Sequence, residues 1–179
     1  MSTYNVVAST EDSTVVAEYV SAYASGYKRA DAYQSEAELE REFIHLLSEQ
    51  GYESLTIHDE KALINNLRHQ LELINDYIFS DSEWEQFFTN CIANKNEGIV
   101  EKTRKIQTDH VQILHRDNGS TKNIYLIDKK HIHNNRLQVI NQYQEDQGNH
   151  DTRYDVTILV NGLPLVHVEL KRRGVAIRE

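Results

Sequence analysis

Apolar residues change their spacing near residue 109, from a helical period of about 3.6 to an alternating period of 2. Before that point the pattern predicts a helix that begins at Ser35 and stops at Gly51, a short strand over 53–57, and helices over 59–77, 81–94 and 98–108. Beyond it, strands are predicted over 110–115, 123–128, 137–144, 154–160 and 165–171. Helices followed by strands indicate an α+β fold.

Local signals support several of these boundaries. Ser35 with Glu38, and Ser80 with Glu83, have the spacing of capping boxes that start helices. Leu39, Phe43, Leu46 and Leu47 form the apolar stripe of the first helix, and Trp84, Phe87 and Phe88 the core side of a later one. The "DNGS" stretch at 117–120 predicts a hairpin turn.

The chain divides into a lead-in segment over 1–34 and a domain over 35–179. Residues 21–34 are rich in small residues and tyrosine, without a helical or strand period. The last residues, "VAIRE", start a helical pattern with no stop signal. We therefore expect the domain to continue into further sequence.

Charged residues interrupt two apolar strands near the C-terminus, in "RYDVTILVNGLPLVHVELKRRG". Asp155 and Thr157 share one face of the first strand, and His167, Glu169 and Lys171 share one face of the second. The opposite faces are mostly apolar. This predicts a sheet that is buried on one side and carries a site on the other.

The turn between these strands decides whether Asp155 meets Glu169. A two-residue turn at Asn161 and Gly162 with regular pairing would place Asp155 opposite Val168, with Glu169 on the wrong face. A three-residue loop ending at Leu163 would pair Asp155 with Glu169. We therefore predict an odd-numbered loop or a bulge.

Two carboxylates about 5 Å apart on adjacent strands can share a hard cation. Mg²⁺ prefers oxygen ligands in an octahedron and keeps several waters. Lys171 would then orient water or stabilise charge on a phosphate. The alternative from the residues alone is a surface hairpin whose charges face water.

Composition excludes several classes of protein. The net charge of −9 is uneven: residues 1–100 carry 18 acidic and 6 basic residues, and residues 101–179 carry 10 and 13. An acidic first half argues against a general nucleic-acid coat. One cysteine, no apolar run long enough for a membrane span and no secretory signal predict a cytoplasmic protein.

Asp155 followed by "ELK" at 169–171 resembles the PD-(D/E)xK nuclease motif, with Tyr154 in place of the nominal proline. The flanking stretches "SEAELEREFIHLLSEQGY", "NDYIFSDSEWEQFF", "GIVEKTRKIQ" and "NIYLIDKKHI" resemble the N-terminal endonuclease domain of the R (motor) subunit of type I restriction–modification enzymes. The resemblance runs from about residue 11. It implies a mixed central sheet with flanking helices, an α/β/α-like arrangement.

The resemblance also implies roles for individual residues. Asp155 and Glu169 would bind Mg²⁺, and Lys171 would be the catalytic lysine. The family tends to add a glutamate from the first core helix, for which Glu40 is preferred over Glu36; an acidic, solvent-facing helix is the alternative.

The implied function is Mg²⁺-dependent cleavage of double-stranded DNA, coupled in the full protein to ATP-dependent translocation. The expected partners are methyltransferase and specificity subunits. The chain stops before the family's ATP-driven domains and its Gln-and-Tyr motif, so we expect this part to bind no ATP and to cut DNA weakly by itself.

Other polar residues carry weaker signals. His131 and His133 have no further Cys or His ligand near them in sequence, so no metal site is predicted there. His167 is expected to meet Thr157, either supporting the site or simply packed. Arg172, Arg173 and Arg178 are candidate phosphate contacts, with ordinary surface arginines as the alternative.

Two other functions fit the same residues. The chain could be a stand-alone nuclease of this fold, which helicase motifs further along the gene would exclude. It could also be a docking module without catalysis, in which the acidic helices bind a partner complex.

Overall fold

A computed structural model of the protein describes residues 4–9, 14–18, 35–145 and 152–171. The chain forms two compact units, Met1–Gln34 and Ser35–Glu179. In the first unit, β1 (Tyr4–Ser9) and β2 (Thr14–Glu18) pair as an antiparallel hairpin. The sequence pattern did not predict this hairpin, and residues 21–34 of the predicted lead-in lie outside the described residues.

The described part of the second unit has four α-helices. They are α1 (Glu36–Glu49), α2 (Glu60–Asn75), α3 (Asp81–Phe87) and α4 (Ile99–Gln107). Both capping boxes are present, before α1 and before α3. The predicted helix over 81–94 is wrong beyond Phe87, because Phe88–Ile92 forms a wider π-helical turn. That turn packs Phe88, Cys91 and Ile92 against the core that also holds Phe87.

The remaining elements are strands around one mixed sheet and one hairpin. They are β3 (Glu53–Leu55), β4 (Val111–His115), β5 (Thr121–Tyr125), β6 (Leu137–Glu145), β7 (Thr152–Val160) and β8 (Leu163–Val168). The sheet has the order β3-β6-β7-β8, with β3 parallel to β6 and the other pairs antiparallel. β4 and β5 form the hairpin predicted around 117–120. The α+β class is confirmed.

Helices cover both faces of the sheet. Leu47 of α1 packs on Val139 and Val156 on one face, and Leu63 of α2 packs near Ile140 and Leu159 on the other. The prediction of a sheet buried on one side only is therefore wrong. The face that carries Asp155 is apolar further along β7, because Leu159 lies on it and is fully buried against the α2 side.

The largest core cluster joins α2, α3 and the β4–β5 hairpin, and it includes Trp84 and Phe87 as predicted. On α1 one prediction is wrong: Leu46 is 47% exposed, and Ile44 packs against the sheet instead. The helix turns Glu40, Phe43, Ile44 and Leu47 towards the sheet, a regular helical spacing. Among the described residues no helix is long and apolar enough to cross a membrane.

Candidate active site

The turn between β7 and β8 has two residues, and both have positive φ. Asn161 has φ 50° and Gly162 has φ 79°, the combination that a tight hairpin of this twist requires. Asn161 is 1% exposed; its side chain donates to the Leu126 carbonyl at 3.0 Å and accepts from the Arg136 amide at 2.8 Å. The turn is thus fixed to the segment that precedes β6.

Gly162 also allows α2 to approach the turn. A Cβ atom at this position would lie 2.6 Å from Cα of Leu67 and 3.0 Å from its backbone nitrogen. No side chain fits such a contact, and the positive φ disfavours any residue other than glycine. The turn is therefore held between α2 and the β6 side of the sheet.

A bulge in β8 sets the register of the hairpin. Leu159 pairs with Pro164, but Ile158 pairs with Val166, so Leu165 is an extra residue in β8. The predicted bulge is confirmed, whereas the three-residue loop is wrong because Asn161 and Gly162 already complete a tight turn. The extra residue lies in the strand instead of the turn.

From the bulge onward, the pairs are those predicted for a shared site. Thr157 pairs with His167 and Val156 with Val168, so this register, continued by one position beyond the end of β8, would place Asp155 opposite Glu169. Asp155 Oδ2 accepts a hydrogen bond from the backbone N–H of Leu170 at 2.7 Å. β8 ends at Val168. The prediction of a strand that extends to Lys171 is wrong, because the Asp155 carboxylate, and not a neighbouring strand, accepts the Leu170 N–H.

Lys171 pairs with Glu169, and the charge of Asp155 also acts on it. Its Nζ is 2.6 Å from Oε1 of Glu169, in an ion pair whose side chains are 37% and 68% exposed. The hydrogen bond that Lys171 donates to Glu169 raises the pKa of Lys171; burial opposes this, and the charges of Glu169, Glu36 and Asp155 raise the pKa further. Lys171 is therefore a cation at neutral pH.

The two glutamates proposed from α1 have different surroundings. Glu40 is 8% exposed, and its Oε1 accepts a hydrogen bond from Nδ2 of Asn141 on β6 at 2.7 Å. Glu36 is exposed at the start of α1, and its charge acts on Lys171. Both lie on α1, and no sequence pattern pointed to Asn141 as the partner of Glu40.

His167 meets Thr157 as predicted. Nδ1 of His167 lies 2.9 Å from Oγ1 of Thr157, which is 1% exposed, while His167 itself is exposed. His131 precedes a 3-10 turn over Ile132–Asn134 and His133 lies within it, so neither is on a strand. The three arginines proposed as phosphate contacts, Arg172, Arg173 and Arg178, lie outside the described residues.

The donor set at Asp155 and Glu169 suits a hard cation because it consists of carboxylate oxygens. Oδ1 of Asp155 has no hydrogen-bond partner among the described residues, and Glu169 is mostly exposed. Within 35–145 and 152–171, no three His, Cys, Asp or Glu side chains come together as a metal site. A magnesium ion here would thus rely on two carboxylates with water or phosphate oxygens, a set that Mg²⁺ uses.

Comparison with known proteins identifies the family. A family model described as "Type I restriction enzyme R protein N terminus" matches residues 33–179. The chain is 50% identical over 158 residues to the type I restriction enzyme EcoprrI endonuclease subunit of Escherichia coli, covering 88% of this chain and 50% of that protein. It is 40% identical over 152 residues to the SsaAORF53P endonuclease subunit of Staphylococcus saprophyticus, covering 82% of this chain and 16% of that subunit.

A third relative, the SauMSSORF170P endonuclease subunit of Staphylococcus aureus strain MSSA476, is 41% identical over 153 residues, with 83% of this chain and 16% of the subunit covered. The chain thus spans half the length or less of these curated relatives. The resemblance of the flanking stretches to the N-terminal domain of type I restriction enzyme R subunits is confirmed. With residues 33–179 matched, the chain belongs to the family of type I restriction enzyme R protein N termini.

Proposed function

We propose that this chain is the DNA-cleaving part of a type I restriction enzyme and has the PD-(D/E)xK nuclease fold. The observation that supports the proposal is the register of β7 and β8 together with two contacts just beyond it: Asp155 accepts the Leu170 amide, and Lys171 pairs with Glu169. The reaction is hydrolysis of a phosphodiester bond in double-stranded DNA. Asp155 and Glu169 would hold Mg²⁺, which supplies Lewis-acid activation of water and phosphate.

Lys171 stabilises negative charge in this proposal. Its neighbours raise its pKa, so the ammonium group keeps its proton at neutral pH and is a poor general base. A fixed cation beside a phosphate stabilises the charge that develops during hydrolysis. Glu36 supports this role because its carboxylate helps to keep Lys171 protonated. Glu40, bonded to Asn141, would hold α1 on β6, and this fixes the position of Glu36 at the start of the same helix.

The wider context follows from the family. In the whole enzyme, cleavage would be coupled to ATP-dependent DNA translocation, and methyltransferase and specificity subunits would select the DNA. The net charge of −9 fits this dependence, since an acidic protein attracts DNA weakly. ATP would bind elsewhere in the enzyme.

The test is cleavage of a circular plasmid by the assembled enzyme carrying Lys171→Ala. We expect cleavage to fall by about 100-fold or more while ATP hydrolysis continues. Lys95→Ala, an exposed lysine in a loop distant in sequence, is the matched control. Unchanged cleavage in Lys171→Ala would refute the proposed nuclease site.

A further inference from the structure

His167 lies on the strand that leads into the candidate active site, two residues before Glu169. Thr157 pairs with it from β7 and follows Asp155 by two residues. Side chains two positions apart on a strand share a face and lie about 6.6 Å apart along it. Thr157 is therefore on the face of β7 that carries Asp155, and its contact with His167 brings the imidazole ring next to the candidate site.

The imidazole ring of His167 does not fill the core. The residue is exposed on β8, which is an edge strand of the sheet. It borders a cavity of about 200 Å³ between α2 and the β7–β8 hairpin, together with Glu60 and Thr157. Thr157, by contrast, is 1% exposed. A buried side chain thus holds an accessible ring in one orientation, which is how binding groups are kept in place for a ligand.

The bond to Thr157 also determines which nitrogen of the ring carries the proton. Nδ1 of His167 lies 2.9 Å from Oγ1 of Thr157. Oγ1 of Thr157 has no other hydrogen-bond partner among the described residues, so its hydroxyl donates to Nδ1. A neutral ring that accepts at Nδ1 carries its own proton on Nε2. The ring is therefore a hydrogen-bond donor through Nε2, on the side away from Thr157.

A direct bond to a metal ion does not fit this ring. Mg²⁺ prefers oxygen ligands to imidazole nitrogen. In the described part of the chain, no three His, Cys, Asp or Glu side chains are placed to hold a metal ion together, so His167 does not complete a metal site with Asp155 and Glu169. An N–H group beside two proposed metal ligands can instead donate to an oxygen of the substrate.

DNA presents phosphate oxygens on both sides of the bond that is cut. Neutral N–H and O–H groups commonly donate to such oxygens, and these contacts fix the position of the strand. His167 precedes Glu169 by two residues and Lys171 follows it by two, so a donor lies on each side of Glu169 along the chain. With the scissile phosphate beside Lys171, Nε2 of His167 can reach a neighbouring phosphate of the same strand.

We propose that His167 is a DNA-binding residue of the nuclease site, which donates from Nε2 to an oxygen of the phosphate next to the scissile one and so positions the strand for cleavage. Thr157 is a positioning residue, because it orients the ring. The role of His167 rests on the proposed function, since it requires DNA at Asp155 and Glu169. Neither His167 nor Thr157 belongs to the motif formed by those two carboxylates and Lys171.

Two substitutions separate the DNA contact from a structural role of the ring. Asparagine places its amide near the position of Nδ1 and can keep the bond to Thr157, whereas glutamine can bring an N–H donor to the position of Nε2. In plasmid cleavage by the assembled enzyme, His167→Asn should lower the rate about tenfold and His167→Gln should restore it to within about threefold, with ATP hydrolysis continuing in both. His115→Asn, at an exposed histidine on β4, is the matched control. Normal cleavage by His167→Asn, or loss in His167→Gln alone, would overturn the proposal.

NMR of the protein without DNA gives two readouts that do not depend on activity. Long-range ¹H–¹⁵N correlation of the His167 ring should show the proton on Nε2, and a proton on Nδ1 alone would overturn the proposal. Substoichiometric Mn²⁺ should broaden the amides of Leu170 and Lys171 equally in the wild type and in His167→Asn. Loss of this broadening in the variant would assign His167 to the ion instead of to DNA, and would also overturn the proposal.

Lys171→Ala distinguishes failure of this proposal from failure of the nuclease site. Normal cleavage by Lys171→Ala would overturn both, because no nuclease site would then remain for His167 to serve. Loss of cleavage in Lys171→Ala together with normal cleavage in His167→Asn would overturn the role of His167 alone.

Discussion

The carboxylate of Asp155 accepts the backbone N–H of Leu170 at 2.7 Å, so the end of β8 is bonded to a side chain of β7. Leu170 lies between Glu169 and Lys171, and this one contact therefore places both neighbours relative to Asp155. The same carboxylate keeps Oδ1 without a hydrogen bond from the described residues. Asp155 thus combines a structural role with a proposed ligand role.

Substitutions of Asp155 separate these two roles. Asparagine retains an oxygen that can accept the Leu170 amide but loses the negative charge, whereas alanine loses both. We expect Asp155→Asn to keep its thermal stability and to lose cleavage by about 100-fold or more. Asp155→Ala should lose cleavage and also about 1 kcal/mol of unfolding free energy. Urea denaturation and plasmid cleavage measure the two effects; equal stability losses in both variants would argue against the structural role.

An insertion tests the register. One alanine inserted between Val168 and Glu169 turns Glu169 and Lys171 to the opposite face while leaving the upstream pairs in place. We expect cleavage to disappear, with the nuclear Overhauser contact between Thr157 and His167 retained. Deletion of Leu165 is the counterpart: it removes the extra residue of the bulge but keeps every pair, so cleavage should persist. Cleavage by the insertion variant would show that the pairing does not form the site.

Alanine substitutions at Gly162 and Gly119 test how closely α2 packs against the turn between β7 and β8. Both have φ near +80°, but a Cβ at Gly119 meets nothing within 4 Å, whereas at Gly162 it meets the Leu67 backbone. Gly119→Ala should cost about 1 kcal/mol of unfolding free energy through backbone strain. Gly162→Ala should cost at least about 2 kcal/mol more through overpacking. Chemical denaturation measures both; similar losses would mean that α2 is not in tight contact with the turn.

The pKa of Lys171 tests the proposed role of Glu36. The hydrogen bond that Lys171 donates to Glu169 and the acidic charges around it raise this pKa, so the favourable ion pair is present below the ordinary lysine value and is lost as pH rises through the raised one. Glu36→Gln should lower the pKa of Lys171, and Glu40→Gln should leave it nearly unchanged. Titration of the Lys171 Cε resonance by NMR measures it. An equal shift in both variants would remove the distinction between Glu36 and Glu40.

Local signals in the sequence predicted the helices well, since a capping box such as Ser80 with Glu83 depends only on neighbours in the chain. The bulge was predictable for another reason: Asp155 can face Glu169 only if the hairpin contains one extra residue. Its place at Leu165 was not predictable, because it depends on α2 closing on Gly162. Burial of the second face of the sheet was not predictable either, because it depends on where α2 packs.

Contacts between residues that are far apart in the chain could not be predicted from the sequence pattern. The pairing of β3 with β6 joins residues more than 80 positions apart, as at Glu53 and Gln138. The bond between Glu40 and Asn141 links α1 to the same sheet across a similar separation. Family resemblance, by contrast, pointed to Asp155, Glu169 and Lys171 directly, since the motif carries their identities.

The most direct test of a common ion site is titration of the ¹⁵N-labelled 179-residue protein with substoichiometric Mn²⁺, whose unpaired electrons broaden nearby amide resonances. If Asp155 and Glu169 hold the ion, the amides of Leu170 and Lys171 should broaden first, and Asp155→Asn should remove the effect. Broadening that begins elsewhere, such as around Asp117 or Asp128, or that persists unchanged in Asp155→Asn, would contradict the account.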